Sequence, residues 1–73
     1  MEIKLYGSPI CGRCKTAKMM LARRNIDYEY IELKDQDSFI VNDIKMNDLP
    51  VLMIDGTMFK AKDALMEIRK LNK

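Results

Sequence analysis

The hydrophobic pattern changes its period early in the chain. Residues 1–6 alternate apolar and polar side chains, which predicts a strand with one buried face. In residues 12–24, Cys14, Ala17 and Leu21 recur at helical spacing, and the stretch ends in two arginines, which are favoured in the last turn of a helix. The pattern therefore predicts a strand, a short loop and a helix in succession.

A second strand and a second helix are predicted in the middle of the chain. Residues 27–33 are rich in tyrosine and isoleucine, which is typical of a strand. Either Asp35 or Asp37 can cap the helix that follows, because a short carboxylate satisfies free amides at a helix start. The apolar residues assigned to this helix are Phe39, Ile40, Val41 and Ile44.

The last part of the chain predicts a hairpin and a helix. Residues 51–54 and 57–60 flank Asp55–Gly56, a dipeptide that favours the tight turns matching strand twist. Residues 61–71 carry apolar side chains at i, i+3, i+4 and i+7. The order is therefore βαβαββα. Strands joined through a helix should be parallel and hairpin strands antiparallel. We therefore expect one α/β domain over residues 1–73, with a mixed four-stranded sheet and helices on both faces.

Composition narrows the range of functions. The chain has 13 basic and 11 acidic residues interspersed with one another, so no continuous basic face for nucleic acid is expected. No apolar run approaches the roughly 20 residues that cross a bilayer, and the first residues lack the pattern of a secretion signal. We expect a cytoplasmic protein that binds neither nucleic acid nor membranes.

Both cysteines lie in the stretch SPICGRC, as Cys11 and Cys14 with two residues between them. A disulfide staple across so short a loop would restrain the unfolded chain by only about 2 kcal/mol. Structural zinc takes four ligands, mostly Cys and His, and this chain has no histidine and no third cysteine. A metal ion or iron–sulfur cluster would therefore have to be shared between two subunits. Such a carrier is the alternative to a redox pair.

The position of the pair favours redox chemistry. If the first helix begins near Gly12, Cys11 lies at its N-cap, where free amides and the positive end of the helix dipole favour a thiolate. Arg13 and Lys15 add positive charge there. Cys14, one turn further in and in line with the apolar face, is placed to be a shielded second thiol. Cys11 is therefore expected to attack a disulfide and Cys14 to resolve it.

The same residues resemble the glutaredoxin and NrdH-redoxin branch of the thioredoxin-fold superfamily. The stretch KLYGSPICGRC is similar to the first strand and active-site loop of that branch, LPV (Leu49, Pro50, Val51) to its cis-proline segment, and IDG to the hairpin that follows. The resemblance implies a thioredoxin-like fold of the glutaredoxin type. It also implies that Cys11 is the nucleophile, Cys14 the resolving thiol and Pro50 a cis-proline.

By the same resemblance, the chain is expected to be an enzyme, a thiol–disulfide oxidoreductase of electron transport and cell redox homeostasis. Its substrate would lie beside Leu49, Pro50, Val51 and Arg13, with the backbone next to Pro50 pairing with an extended peptide. No tightly bound cofactor or metal is expected. Glutathione, or thioredoxin reductase with NADPH, would supply the electrons. Disulfide-containing proteins or small molecules, with ribonucleotide reductase as one candidate, would receive them, and the protein is expected to be a monomer.

Three positions depart from the usual glutaredoxin pattern. Ser8 stands where a lysine is common, Leu49 lies in the place of a threonine–valine–proline triplet, and Lys60–Ala61 replaces a glycine pair. Lys60 and Lys62 could attract a glutathione carboxylate. These departures leave open which electron donor the protein uses.

Overall fold

A computed structural model describes residues 2–71 of the chain. Met1, the first residue of the predicted first strand, and residues 72–73 of the predicted domain lie outside the described part. The strands and helices are β1 (Ile3–Gly7), α1 (Gly12–Arg23), β2 (Glu29–Glu32), α2 (Gln36–Asn42), β3 (Val51–Ile54), β4 (Thr57–Lys60) and α3 (Ala61–Lys70), with a 3-10 turn at Met46–Asp48 before β3. The predicted order βαβαββα is confirmed.

The four strands form one mixed sheet in the order β2-β1-β3-β4. β1 is parallel to β2, with Leu5 beside Tyr30, and antiparallel to β3, with Leu5 beside Leu52. β3 and β4 form the predicted hairpin, and the Asp55–Gly56 turn has positive φ at both residues (48° and 88°), as the tight hairpin turn requires.

Helices cover both faces of the sheet, as predicted. On one face, strand residues such as Leu5 and Leu52 pack against buried positions of α1 and α3. The opposite face presents Tyr6, Ile31 and Val51, which pack in a second apolar cluster with Phe39 of α2 and with the segment that follows α2. The sheet therefore separates two parts of the core.

Several predicted boundaries were wrong by a few residues. β1 runs to Gly7 and β2 is confined to Glu29–Glu32. The second helix does not reach Ile44, because Asp43 adopts a left-handed conformation (φ 54°) that ends α2 at Asn42. Ile44 is nevertheless buried beyond that end, whereas Ile40 and Val41, which do lie in the helix as assigned, are 67% and 82% exposed.

The topology brings the two segments singled out in the sequence to one edge of the sheet. Because β1 and β3 are antiparallel, the end of β1 lies beside the start of β3, with Tyr6 opposite Val51. The loop carrying Cys11 follows that end of β1, and Leu49 and Pro50 precede that start of β3. Among residues 2–71, no helix has the length and apolar character needed to cross a membrane.

Candidate functional site

The loop between β1 and α1 holds Cys11 at the start of the helix. The Cys11 N–H donates to the Ser8 carbonyl at 3.1 Å, and Ser8 itself is buried. Cys11 has extended backbone angles (φ −97°, ψ 112°), and its sulfur accepts the Cys14 N–H at 3.3 Å. The sulfur therefore occupies the N-cap position, where it satisfies one of the free amides of the first turn. This is the placement that the sequence predicts.

Cys14 lies one turn into α1 and is shielded from solvent. It is 1% exposed, whereas Cys11 is half-buried, and both are free thiols. Burial raises the pKa of the Cys14 thiol to about 12, with a further increase from the hydrogen bond to Cys11. The Ser8 amide and the Arg13 charge lower the Cys14 pKa by smaller amounts. Near neutral pH, Cys14 is therefore a protonated and shielded thiol next to an accessible one.

The cis-proline segment packs into the same cluster as the thiols. Cys14, Leu49 and Val51 are buried together there, and Cys11 packs against them. The Leu49–Pro50 peptide bond is cis, as the resemblance implies, and the Pro50 side chain is fully buried. The fold thus brings the two cysteines together with Leu49 and Val51, although the two stretches are more than 30 residues apart in the sequence.

The backbone around Pro50 is shielded from solvent, because Leu49, Pro50 and Val51 are all fully buried. The Pro50 carbonyl accepts the Ala61 N–H at 3.0 Å, and the Leu49 N–H donates to the Met46 carbonyl at 3.2 Å. Among residues 2–71, the Leu49 carbonyl accepts no hydrogen bond. Because Leu49 is 0% exposed, this acceptor is buried, and an extended peptide would reach it only if neighbouring residues moved aside.

The sequence of the chain matches a known protein family over most of its length. The glutaredoxin family model matches residues 3–59, which include both cysteines and the cis-proline segment. The chain belongs to the glutaredoxin family. Membership supports a redoxin-type function for this glutaredoxin-family chain and fits the nearby cysteine pair as a redox centre. No curated protein sequence matches it significantly.

Solved structures agree with the fold of this glutaredoxin-family chain. The structure of NaGST1 superposes with a TM-score of 0.71 at 25% identity, covering 94% of this chain and 33% of NaGST1. The thioredoxin-like protein BC3987 superposes with a TM-score of 0.68 at 22% identity, covering 94% of this chain and 97% of BC3987. A glutathione S-transferase from Xanthobacter autotrophicus Py2 gives a TM-score of 0.68 at 21% identity, covering 97% of this chain and 38% of the transferase. The chain thus spans about a third of the length of NaGST1 and nearly all of BC3987.

Arg13, predicted on the substrate side of the site, is exposed in the first turn of α1. That turn contains no acidic residue, so the charge of Arg13 is not neutralised within it. Most of the basic residues of α1 are exposed, as expected for a solvated helix face. Lys18 differs, because it is half-buried and its Nζ lies 4.2 Å from the centre of the Tyr30 ring.

Sequence reasoning missed two residues beside the thiols, Gly7 and Tyr30. A Cβ added at Gly7 would lie 2.9 Å from the Tyr30 hydroxyl and 3.1 Å from Cys14 Cβ. The missing side chain of Gly7 therefore opens a gap that both residues enter. A glycine at the end of a buried strand is a signal of such a close approach, but the sequence does not say which groups approach.

Two further observations concern an open groove beside α2 and the possibility of a metal site. An open groove of about 680 Å³ runs beside α2, and no predicted site residue lines it. Within residues 2–71, cysteine, aspartate and glutamate side chains do not gather in groups of three or more that could hold a metal ion. The carrier with a site shared between subunits stays a prediction.

Proposed function

We propose that the chain is a thiol–disulfide oxidoreductase that reduces disulfides through a Cys11–Cys14 pair. The observation that supports the proposal is the contrast between the two thiols. Cys11 is partly accessible at the helix start, whereas Cys14 is 1% exposed directly behind it. Such a pair can perform two different steps in sequence, with the accessible sulfur acting first.

In the first step, the Cys11 thiolate attacks one sulfur of a substrate disulfide. A bond forms between Cys11 Sγ and that sulfur, and the other sulfur leaves with the electron pair and takes up a proton. In the second step, Cys14 gives up its proton and attacks Cys11 Sγ. The Cys11–Cys14 disulfide forms, the substrate sulfur leaves as a thiol, and two electrons have passed to the substrate.

The amide environment of Cys11 favours the first step and the later reduction of the oxidised pair. Negative charge on Cys11 is stabilised by the amides of the first turn, one of which already donates to the sulfur at 3.3 Å. The same stabilisation makes Cys11 a better leaving group when the oxidised pair is reduced again. Leu49, Pro50 and Val51 would lie behind the bound disulfide. Because all three are fully buried, a disulfide-containing segment would pair with their backbone only after the residues around them shift.

Single-cysteine variants test the proposal. Cys14→Ser should form a lasting mixed disulfide with a substrate, because the resolving thiol is missing, and mass spectrometry should place the adduct on Cys11. Cys11→Ser should abolish exchange, although a serine hydroxyl can still cap α1. If Cys11→Ser retains exchange and Cys14→Ser loses it, the roles proposed here are reversed.

The electron donor can be determined with the oxidised wild-type protein. Glutathione alone is added to one sample, and thioredoxin reductase with NADPH to another, and recovery of the two thiols is followed over time. Rapid recovery with one donor identifies the branch of the family to which the protein is functionally related. Recovery with neither would contradict both candidate donors. A ribonucleotide reductase and a general protein disulfide can then be compared as electron acceptors with the identified donor.

A further inference from the structure

The Tyr30 hydroxyl lies close to the resolving cysteine, because Gly7 has no side chain to separate them. Two atoms that lie 2.9 and 3.1 Å from one point, as the Tyr30 hydroxyl and Cys14 Cβ do, are at most 6.0 Å apart. The Cys14 sulfur is bonded to that Cβ. In the dithiol, the Tyr30 hydroxyl and the Cys14 sulfur share no hydrogen bond, so the hydroxyl has to turn toward the sulfur in order to donate to it.

The position of the Tyr30 ring is determined by two elements. Tyr30 is in the middle of the β1–β2 pairing, beside Leu5, so its backbone is fixed in the sheet. Lys18 of α1 lies over the ring with its Nζ 4.2 Å from the centroid, a cation–π contact. Lys18 is one helical turn beyond Cys14, so the same helix that carries the resolving thiol also holds the tyrosine in place.

The surroundings of Cys14 leave few groups that could stabilise its thiolate. The sulfur is buried among apolar residues that include Leu33, Leu49 and Val51. A thiolate in such a place is unfavourable unless donors face it. The Ser8 amide and the Arg13 charge favour the ionised form, but burial outweighs them. An additional donor next to Cys14 would therefore have a direct effect on the resolving step.

Tyr30 is suited to be that donor because it stays protonated. Burial raises the pKa of the Tyr30 hydroxyl above its ordinary value, and the charges of Glu32 and of the two cysteines raise it further. A neutral phenol can donate a hydrogen bond to a thiolate across the whole physiological pH range. The titratable and charged groups that act on Cys14 are Cys11 and Arg13. Those near Tyr30 are the two cysteines, Lys18, Glu32 and, with the smallest effect, Tyr28.

We propose that Tyr30 is a positioning residue for the resolving step, in which its hydroxyl donates a hydrogen bond to the Cys14 sulfur as that sulfur ionises. The inference rests on the proposed function and adds a residue to it. Tyr30 neither gains nor loses a proton overall. The Cys14 proton passes to solvent and a proton from solvent neutralises the departing substrate thiolate, while the bond from Cys14 Sγ to Cys11 Sγ forms and the bond from Cys11 Sγ to the substrate breaks.

A chromogenic aryl disulfide separates the two steps in one experiment. The attack of Cys11 releases one coloured aryl thiolate, and the attack of Cys14 on the resulting mixed disulfide releases a second. Tyr30→Phe removes only the hydroxyl. We expect the first release to keep its rate within about two-fold and the second to slow by roughly ten-fold at neutral pH, the size of effect that one hydrogen bond to a charged group supplies.

Tyr28→Phe is the matched control, because Tyr28 packs on the main cluster and loses the same atom. It should leave both releases unchanged. The pH profile distinguishes stabilisation of the thiolate from a structural effect. In Tyr30→Phe, the rise of the second rate with pH should move to higher pH by about one unit, because a less stabilised thiolate forms at higher pH.

Lys18 provides an independent check on the position of the ring. Lys18→Arg keeps a cation over the ring and should preserve the second rate, whereas Lys18→Met should slow it. An unchanged second release and pH profile in Tyr30→Phe would overturn the inference, and so would equal effects of Tyr30→Phe and Tyr28→Phe. If the wild type shows no release that depends on Cys11, the proposed function itself fails, and the two failures are thus distinguishable.

Discussion

At the scale of single residues, the site depends on where side chains are missing as well as where they are present. Gly7 lets the Tyr30 hydroxyl and the base of Cys14 approach the same point. Gly12, five residues later, has nothing within 4 Å of an added Cβ. The two glycines therefore serve different purposes: Gly7 is required by its neighbours, and Gly12 only eases the turn into α1.

Alanine at these two positions should have opposite effects. Gly7→Ala places a Cβ in contact with Tyr30 and Cys14, so the free energy of unfolding should fall by about 1–3 kcal/mol, the usual range for overpacking. Gly12→Ala adds a better helix former at the start of α1, so the free energy of unfolding should rise slightly, by up to about 1 kcal/mol. Urea unfolding of the reduced proteins measures both. Equal losses in the two variants would show that the gap at Gly7 is not tightly filled.

At the scale of elements, local signals and long-range contacts differ in how well the sequence reveals them. The β3–β4 hairpin was predictable to the residue, because Asp55–Gly56 can adopt the positive φ angles of its turn. The cap of α2 was also visible, since the Asp35 carboxylate accepts the Ser38 N–H at 2.8 Å. The end of α2 was not, because the apolar residues that follow Ser38 suggested a longer helix, whereas Asp43 turns the chain away.

The site divides in the same way. The placement of Cys11 at the start of α1 and of Cys14 inside it follows from the helical spacing of the residues around them, so the sequence alone predicts it. The contact between Gly7, Cys14 and Tyr30 joins three elements, and the strained backbone at Ala61 depends on how β4 meets α3. Neither leaves a pattern in the neighbouring residues. The first contact joins segments distant in sequence, and the Ala61 N–H donates to the carbonyl of Pro50 in a different segment.

The first residue of α3, Ala61, has an unusual backbone conformation that can be tested by substitution. Among residues 2–71, four non-glycine residues have positive φ, and Ala61 (φ 50°) is the only one that is not Asn or Asp. Left-handed backbone costs alanine about 1–2 kcal/mol, and glycine avoids most of this while losing some entropy. Ala61→Gly should therefore raise the free energy of unfolding by about 0.5–1 kcal/mol.

The control for this substitution is Ala22→Gly, at an exposed position in the last turn of α1, which should lower the free energy of unfolding by up to about 1 kcal/mol. Thermal and urea unfolding would measure both variants. A loss of stability in Ala61→Gly comparable to that in Ala22→Gly would contradict the left-handed conformation at the start of α3.

At the scale of the whole molecule, the sheet divides the core into two clusters with different coverings. The main cluster joins the sheet to α1 and α3, both of which contribute fully buried residues. The second cluster contains Cys14 and Ile44, and α2, which lies over it, has no buried residue in Gln36–Asn42. The covering of the thiol side is therefore thin, and elements with few buried contacts open at lower free energy than the rest of a protein.

The same substitution, isoleucine to valine, made once in each cluster tests whether the α2 side opens separately from the main cluster. Ile44→Val and Ile68→Val each remove one methylene from a buried side chain and should lower the free energy of unfolding by similar amounts, about 0.5–1.5 kcal/mol. Their effects on Cys14 should differ. In a Cys11→Ser background, alkylation of Cys14 requires the covering to open. Ile44→Val should speed this reaction about five-fold, the factor that corresponds to roughly 1 kcal/mol, because it weakens the thin covering directly.

Ile68→Val should leave the alkylation rate of Cys14 nearly unchanged, since the opening on the α2 side leaves the main cluster intact. Both rates are measured under native conditions by mass spectrometry, with urea unfolding confirming that the two variants are equally destabilised. Equal acceleration by the two substitutions would mean that Cys14 becomes accessible only when the whole domain unfolds. Cys14 would then be protected by the entire core, and opening of the α2 layer alone would not expose it.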